Sequence, residues 1–358
     1  MPLRAARAIA AMPSPGTLLT IPETGITLPV LRHPDNDAAQ RCLNVIDRPY
    51  ITACLNSHKA ADAFIAAQVP TYAGLIYPHA LPDRFVCLQR MMNTVTLMNE
   101  EFGDPATLED ASLCEQLRTC YLAALEGTRP PRKRAAARLL YETLRPIMAE
   151  ISPRVGTRLL HAMREQISLL AGRFIRHVDT LTLQRYVELR RIEAFGYWLT
   201  TLGEYALGFD MTDDLAANPS LRAARDAAID SVLLVNDLFS FHKEIQIGEA
   251  RNALWIVMRE DDLSLQAAID KLARMCGDTQ RRYLAACRTV ETRERADLRA
   301  YLTELGHLIS GNLDFHTFSS RYYSPDSDTD RFSSGEMVIS TFPGLRDIAS
   351  EQPLTVTT

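Results

Sequence analysis

The chain has 358 residues, of which 47% are hydrophobic and 23% are charged, and its formal net charge is −5 at pH 7. This balance is typical of a globular protein, and the negative charge argues against nucleic acids and anionic membranes as partners. No apolar run reaches the length of a membrane span, and the seven scattered cysteines show no CxxC pair and no zinc-ligand spacing. We therefore predict a soluble, cytoplasmic protein with reduced thiols.

Helical periodicity dominates the rest of the pattern. Residues 1–25 are rich in Ala, Pro, Thr and Gly, and residues 326–358 turn to Ser, Asp, Thr and Gly, so both ends are predicted to be flexible tails. Between the tails no stretch alternates with period two for long enough to require a sheet. The predicted helices are Phe85–Asn99, Ala135–Met148, Val155–His177, Leu183–Leu207, Leu221–Ile247, Ala250–Arg259, Leu263–Met275 and Glu294–Phe318. We predict an all-α single domain over residues 26–325, a bundle of many helices.

The most informative segment lies in the predicted helix Leu221–Ile247. Asn236, Ser240 and Glu244 are spaced four residues apart, so a helix places them along one face. Each side chain offers an oxygen, the ligand type that Mg²⁺ prefers, and Lys243 adds a charge suited to phosphate. The alternative is a solvated polar stripe. The segment is apolar nearly all round, however, which is typical of a buried helix, and this favours a metal site.

This segment resembles the second metal motif of class I terpene synthases, (N/D)Dxx(S/T)xx(K)E. In the bacterial and fungal members a sensor arginine precedes the motif by a little under fifty residues. Arg190 has that offset, and Arg191 is the neighbouring alternative. An Arg-Tyr pair near the C-terminus is also typical, and Arg321 and Tyr322 stand there. Guanidinium groups can bind phosphate oxygens bidentately, and a tyrosine hydroxyl adds a donor.

The first metal motif of that family, DDxxD or DDxx(x)E, is altered here. Asn99 stands where the first aspartate is expected, and Glu100 takes the place of the second carboxylate. Glu101 and Asp104 keep the segment anionic. We favour a motif that still binds metal, because Asn236 shows that an asparagine can serve in such a motif. A decayed motif that has lost its metal is the alternative.

A helix break after the sensor arginine is a further family feature. The residues at this break are a linker residue and a small effector residue, which is often glycine. Glu193 and Ala194 have these offsets, so the effector glycine is replaced. Gly196, two residues later, is the candidate for the break itself.

The resemblance implies a helical bundle around a central active-site cavity. It also implies an enzyme that ionises an isoprenyl diphosphate with Mg²⁺, three ions being held with the diphosphate, and cyclises the resulting carbocation. Metal ions and arginines stabilise the leaving diphosphate, and aromatic faces can stabilise cationic intermediates. The candidate pocket residues are Phe85, Phe102, Phe195, Trp198, Phe239 and Phe315. For each of them alone, ordinary core packing is the competing interpretation.

Substrate length is the point on which the sequence is least informative. The chain has two tryptophans, and the last helix carries His307 and Phe315 where relatives often have tryptophan. Smaller side chains leave a roomier pocket, which favours geranylgeranyl diphosphate and a diterpene product. Farnesyl diphosphate with a sesquiterpene product is the alternative, as is an inactive homologue that only binds isoprenyl diphosphates. A linear-chain prenyltransferase is disfavoured, because it would need a second DDxxD motif, which the sequence lacks. The sequence leaves open whether the protein is a homodimer.

Overall fold

The computed structural model describes residues 13, 16–172, 181–246, 252–322 and 332–339. From the N-terminus, the helices are α1 (Asn36–Ile46), α2 (Arg48–Leu55), α3 (His58–Ala66), α4 (Thr71–Ile76), α5 (Pro82–Gly103), α6 (Pro105–Glu109), α7 (Ala111–Leu125), α8 (Ala135–Glu150), α9 (Pro153–Gly172), α10 (Leu183–Glu193), α11 (Gly196–Leu207), α12 (Thr212–Ala217), α13 (Pro219–Gln246), α14 (Ala253–Asp261), α15 (Leu265–Cys287) and α16 (Ala296–Phe318). The predicted all-α class is confirmed. None of the described helices is both long and apolar enough to cross a membrane.

The described residues divide into two compact units, where the sequence predicted one domain. The first unit takes its residues from Met1–Val30, Arg173–Gly196 and Asp214–Phe342, and the second from Leu31–Gly172 and Tyr197–Asp213. Apolar periodicity reports which face of a helix is buried, but it does not report which helices share a core. In the second unit α5 packs against α1, α4 and α8, and α7 packs against α8 and α9.

Helix α13 is the centre of the first unit. It begins after Asn218, whose side-chain oxygen accepts hydrogen bonds from the backbone nitrogens of Ser220 and Leu221 at 2.9 and 3.1 Å. It then runs for 28 residues and packs against α10, α14, α15 and α16. The side chains of Leu234, Val235, Leu238 and Phe241 on this helix are buried. These contacts explain why the segment is apolar nearly all round.

Two short strands correct the prediction of flexible tails. Strand β1 (Leu18–Ile21) pairs antiparallel with β2 (Gly335–Val338). Leu19, Ile21 and Ile339 are buried in the same hydrophobic cluster as α13 and α15. The tail prediction is therefore wrong for these residues, because four alternating residues are too few for a period of two to be recognised. Residues 1–12 and 340–358 lie outside the described part of the chain, as do the predicted helix ends at 177, 247 and 250.

The predicted helix Leu183–Leu207 is two helices, α10 and α11, in the structure. The break falls at Ala194 and Phe195, and Phe195 has a φ of 53°, in the left-handed region. Gly196 then opens α11 at a position where a Cβ atom would lie 2.2 Å from Cγ2 of Ile229. Close packing against α13 therefore requires glycine at this position.

Candidate active site

The polar stripe of α13 is half-buried in the first unit. Ser240 is 5% exposed, and Asn236 and Glu244 are partly exposed. The hydroxyl of Ser240 donates a hydrogen bond to Oε1 of Glu244 at 2.7 Å, so the helix brings these two groups into direct contact. The stripe presents an amide, a hydroxyl and a carboxylate along one face of the helix. This is a set of hard oxygen ligands with a single negative charge.

The amide of Asn236 is held at both ends. Its Nδ2 lies 3.1 Å from Nε2 of His316 and donates to the hydroxyl of Tyr322 at 3.3 Å. Its Oδ1 accepts a hydrogen bond from Nη2 of Arg190 at 3.2 Å. The structure therefore brings three of the predicted site residues together, namely the motif asparagine, the predicted sensor arginine and the tyrosine of the C-terminal pair.

Arg190 lies beside the metal motif, whereas Arg191 does not. Arg190 is 13% exposed and pairs with Glu193 and, at 3.2 Å, with Asp237. Burial works against its charged form, but the neighbouring carboxylates raise the pKa of Arg190, so the guanidinium stays protonated. Arg191 instead binds the buried Asp230 bidentately, at 2.6 and 2.9 Å. Of the two candidates, Arg190 is the one whose described contacts reach the motif, at Asn236 and Asp237.

Asp237, the second residue of the motif, fixes α13 to its neighbours. It is fully buried and accepts hydrogen bonds from the hydroxyl of Tyr186 at 2.7 Å and from the backbone nitrogen of Ala253 at 2.8 Å. Burial raises the pKa of Tyr186 well above its ordinary value, so the phenol remains a donor. With Arg190, these contacts tie together α10, α13 and the start of α14.

The linker candidates lie at the end of α10. Glu193 is 5% exposed and binds Arg190 directly, and Ala194 ends the helix by donating its backbone N–H to the carbonyl of Arg190 at 2.8 Å. The carboxylate of the linker residue thus touches the predicted sensor in this structure. The break that was predicted from Gly196 occurs one residue earlier, at Phe195, with Gly196 packed tightly behind it.

The C-terminal pair follows α16. Tyr322 is buried, and its ring stacks on that of His316 with centroids 4.2 Å apart. Burial raises the pKa of Tyr322, whereas the charge of the adjacent Arg321 lowers it. Burial also lowers the pKa of His316 to about 4, so this imidazole is neutral at pH 7. Lys243 is half-buried on α13, one residue before Glu244.

The altered first motif lies at the end of α5, in the second unit. Asn99 and Glu100 are partly exposed in the last turns of this helix. Glu101 accepts a hydrogen bond from the hydroxyl of Tyr121 at 2.6 Å. Asp104 caps α6 by accepting from the backbone nitrogen of Ala106 at 2.8 Å. The structure thus gives Glu101 and Asp104 local structural partners, and metal binding by Asn99 and Glu100 stays a prediction.

The candidate pocket aromatics fall into both units. In the second unit Phe85 stacks on His33 at 3.7 Å, and the indole nitrogen of Trp198 donates to Gln166 at 2.7 Å. Phe102 lies 5.6 Å from the ring of Tyr121. These three side chains have well-defined core partners. The first unit holds Phe195, Phe239 and Phe315, of which Phe239 and Phe315 both lie within about 6 Å of the imidazole of His316.

Sequence reasoning missed four residues that shape this site. Tyr186, Asp237, Asn252 and His316 are all buried and all bonded to the motif or to its arginine. A signal was present for Asp237, since a charged residue on an otherwise apolar helix needs a partner. For Asn252 the only signal was its position as a helix N-cap, and for His316 there was none.

Comparisons with known proteins show which family the chain belongs to. The family model described as terpene synthase family 2, C-terminal metal binding, matches residues 90–282, more than half of the chain. Microbial terpene synthase-like protein 13 of Selaginella moellendorffii is 26% identical over 279 residues, 76% of this chain and 78% of that protein. The 7-epi-alpha-eudesmol synthase of Streptomyces viridochromogenes, named as (2E,6E)-farnesyl diphosphate cyclizing, is 25% identical over 291 residues, 75% of this chain and 82% of its own.

The fold is also that of solved terpene synthases. The crystal structure of a-eudesmol synthase matches with a TM-score of 0.68 at 19% identity, covering 81% of this chain and 97% of that one. At this identity the match shows the fold alone. The family match, which covers more than half of the chain, identifies the predicted class. The chain belongs to terpene synthase family 2, and it is a class I terpene cyclase that binds a divalent metal and cyclises an isoprenyl diphosphate.

Proposed function

We propose that this protein is a sesquiterpene cyclase that uses Mg²⁺ to ionise farnesyl diphosphate. The observation that carries the proposal is the contact between the Asn236 amide of the metal stripe and the guanidinium of Arg190, at 3.2 Å. One group suits a hard cation and the other a phosphate, so together they suit a metal-bound diphosphate. The farnesyl chain length is supported by the Streptomyces relative, whose name specifies that substrate and which is similar over most of both chains.

The donor set fits Mg²⁺ bound through a diphosphate rather than through protein alone. Among the described residues, no group of three carboxylate, histidine or cysteine side chains could hold a metal by itself. Asn236, Ser240 and Glu244 would supply one carboxylate and two neutral oxygens, which leaves coordination positions for phosphate oxygens. When bound, Mg²⁺ neutralises charge on the leaving diphosphate.

The arginines would supply the cations that do not depend on metal. Within the described residues, Nε of Arg190 is buried and has no hydrogen-bond partner, so a donor is available to an incoming anion. Arg321, Tyr322 and Lys243 would add donors from the end of α16 and from α13. Preorganised donors of this kind stabilise the negative charge that develops as the diphosphate leaves.

The contact between Arg190 and Glu193 suggests how diphosphate binding would affect the helix break after α10. Arg190 now pairs with Glu193, and a bound diphosphate would compete with Glu193 for the same guanidinium. Glu193 and Ala194 directly precede Phe195, so a change at Arg190 would be transmitted to the start of α11. The three aromatic side chains of the first unit are the proposed cation-stabilising surfaces there.

The sequence favoured geranylgeranyl diphosphate from the size of His307 and Phe315. Both side chains are buried on α16. They remain the reason to test the longer substrate beside the shorter one.

The test is to incubate the purified protein with Mg²⁺ and with geranyl, farnesyl and geranylgeranyl diphosphate in turn. The readouts are released diphosphate and volatile hydrocarbon, and kcat/KM is compared across the three substrates. We expect the highest kcat/KM and a cyclic C15 hydrocarbon with farnesyl diphosphate. A preference for geranylgeranyl diphosphate would overturn the sesquiterpene assignment and leave the cyclase assignment intact. Binding of all three without product would contradict the proposal.

A further inference from the structure

The amide of Asn236 has two chemically different ends. The oxygen Oδ1 can bind a cation, whereas the NH₂ group at Nδ2 is a donor and cannot. A metal ligand of this type therefore works in only one of two orientations, which differ by a rotation of the amide about its last bond. Ser240 and Glu244 have no such requirement, because each of their side-chain oxygens can bind metal.

His316 can select the productive orientation. Its Nδ1 lies 2.7 Å from the carbonyl oxygen of Asn312, one turn earlier in α16, and must carry the proton to donate to it. In the neutral ring Nε2 is then an acceptor, and it lies 3.1 Å from Nδ2 of Asn236. His316 is 3% exposed and stacks on Tyr322, so its ring is held in place.

The opposite orientation of the amide would lose its contacts with both His316 and Arg190. It would place Oδ1 against the lone pair of Nε2 of His316, and it would place the NH₂ group against Nη2 of Arg190, which is also a donor. In the observed orientation Arg190 donates to Oδ1 at 3.2 Å. The hydroxyl of Tyr322 can accept from Nδ2 or donate to Oδ1, so it does not discriminate by itself.

We propose that His316 is a positioning residue that fixes the amide of Asn236 with its oxygen directed to the metal. The inference rests on the proposed function, since it assumes that Asn236 is a metal ligand. His316 does not touch the substrate in this role. Its contribution is to remove the unproductive orientation, so that metal binding does not have to reorient the amide.

The test is a double-mutant cycle between His316→Phe and Asn236→Asp. Phenylalanine keeps a ring for stacking on Tyr322 but removes the acceptor. Aspartate has an oxygen at both ends, so it needs no partner to choose between them. The probe is Mn²⁺ with inorganic diphosphate, and free Mn²⁺ is counted by electron paramagnetic resonance, which requires no turnover.

We expect His316→Phe to weaken Mn²⁺ binding by about five- to tenfold in the Asn236 protein, the effect of losing one hydrogen bond to a neutral group. In the Asn236→Asp protein the same substitution should change Mn²⁺ binding by less than about twofold. His316→Gln can restore an acceptor near the position of Nε2, so it should recover part of the loss. Tyr283→Phe, which removes a buried hydrogen bond to the carbonyl of Leu302 on α16, is the control and should leave Mn²⁺ binding unchanged.

Equal losses in the two backgrounds would overturn the proposal, because they would mean that His316 supports the helix rather than the amide. Unchanged binding in both backgrounds would overturn it as well. Glu244→Ala separates these results from failure of the proposed function. If Glu244→Ala abolishes Mn²⁺ binding while His316→Phe and Asn236→Asp show no coupling, the metal site is supported and the positioning role of His316 is wrong. If Glu244→Ala leaves binding unchanged, the metal site itself is wrong.

Discussion

The side-chain amide nitrogen of Asn252 donates a hydrogen bond to Oε2 of Glu244 at 2.9 Å. The same nitrogen donates to the backbone carbonyl of Asp237 at 2.7 Å, and the amide oxygen of Asn252 caps α14 by accepting from the nitrogen of Leu254 at 2.9 Å. One buried asparagine thus connects the only carboxylate of the stripe to the start of the next helix. Its position suggests that Asn252 orients Glu244 for metal binding.

Replacing Asn252 should therefore weaken the use of Mg²⁺. Asn252→Ser retains a helix-capping oxygen but loses the amide donors, whereas Asn252→Ala loses both. We expect both variants to need several-fold more Mg²⁺ for half-maximal rate. The alanine variant should in addition be less stable than the serine variant by about 1 kcal/mol, the contribution of an N-cap. The measurements are a Mg²⁺ titration of the initial rate and a denaturant unfolding curve. An unchanged Mg²⁺ requirement in Asn252→Ser would contradict the orienting role.

The polar stripe itself should be essential for turnover. We expect Asn236→Ala, Ser240→Ala and Glu244→Ala each to lower kcat/KM by about a hundredfold or more, as the loss of a preorganised charge stabiliser typically does. The circular dichroism spectrum should remain helical. Glu188→Ala is the matched control, because Glu188 is a partly exposed glutamate on α10 that pairs with Arg185. Full activity in Glu244→Ala would mean that the active site lies elsewhere.

Replacing Arg190 should lower mainly catalysis, whereas replacing Arg191 should lower mainly stability. Arg190→Ala should lower kcat/KM by about a hundredfold or more, because it removes the guanidinium beside the motif. Arg191→Ala should lower mainly the free energy of unfolding, by about 1 to 3 kcal/mol, since it removes a bidentate partner from the buried Asp230. Arg282 still binds Asp230 at 3.0 Å and should limit that loss. Steady-state kinetics measures kcat/KM, and urea unfolding measures the free energy of unfolding. If Arg191→Ala lowers kcat/KM and Arg190→Ala lowers mainly stability, the sensor is Arg191.

A site residue can be predicted from the sequence when helical periodicity determines its position. It cannot be predicted when its position depends on tertiary contacts. Asn236, Ser240 and Glu244 were predictable because a helix repeats every 3.6 residues, so their shared face follows from their numbers. The choice between Arg190 and Arg191 was not predictable. Adjacent helical residues point about 100° apart, and only the position of Asp230 shows which one faces away from the motif.

The same limit applies to long-range contacts and to the fold. His316 meets Asn236 across 80 positions of sequence, and nothing local to either residue indicates this. Most helices of the first unit were predicted close to their observed bounds, although α15 extends to Cys287, beyond the predicted end at Met275, and Leu183–Leu207 is two helices. Strands β1 and β2 were not predicted, because their pairing joins residues more than three hundred positions apart. The break at Phe195 was anticipated from the family resemblance, but its left-handed conformation depends on packing.

The altered first motif gives a prediction about metal dependence. If Asn99 and Glu100 contribute, Glu100→Ala should raise the Mg²⁺ concentration needed for turnover, because removing a carboxylate weakens a hard-cation site. Asn99→Asp should be tolerated or should lower that concentration. Asp110→Asn keeps the cap of α7, where the Asp110 side chain accepts from the backbone nitrogen of Ser112 at 2.8 Å, and serves as a control that should leave the Mg²⁺ requirement unchanged. If Glu100→Ala, Glu101→Ala and Asp104→Ala all leave the metal dependence as it is, this segment no longer takes part in metal binding.

The final prediction concerns the helix break at Gly196. A Cβ atom there would lie 2.2 Å from Cγ2 of Ile229 and 2.9 Å from the carbonyl oxygen of Arg191, so Gly196→Ala must displace α10 or α13. Overpacking of this kind typically costs about 1 to 3 kcal/mol, and a shift at the end of α10 should also lower kcat through Arg190. Gly203→Ala in α11 is the matched control, because the nearest atom to its added Cβ, Cε1 of Tyr77, is 3.7 Å away.

Gly203→Ala should be neutral or stabilising by up to about 1 kcal/mol, since alanine is a better helix former than glycine. Ile229→Ala should cost less stability in the Gly196→Ala protein than in the parent, because it removes the methyl group that the new Cβ meets. Recovery should be partial, since the carbonyl of Arg191 remains. Urea unfolding of the four proteins in this cycle, with Gly203→Ala beside them, measures the coupling. If Gly196→Ala proves as stable and as active as Gly203→Ala, tight packing of α13 against residue 196 does not set the break between α10 and α11.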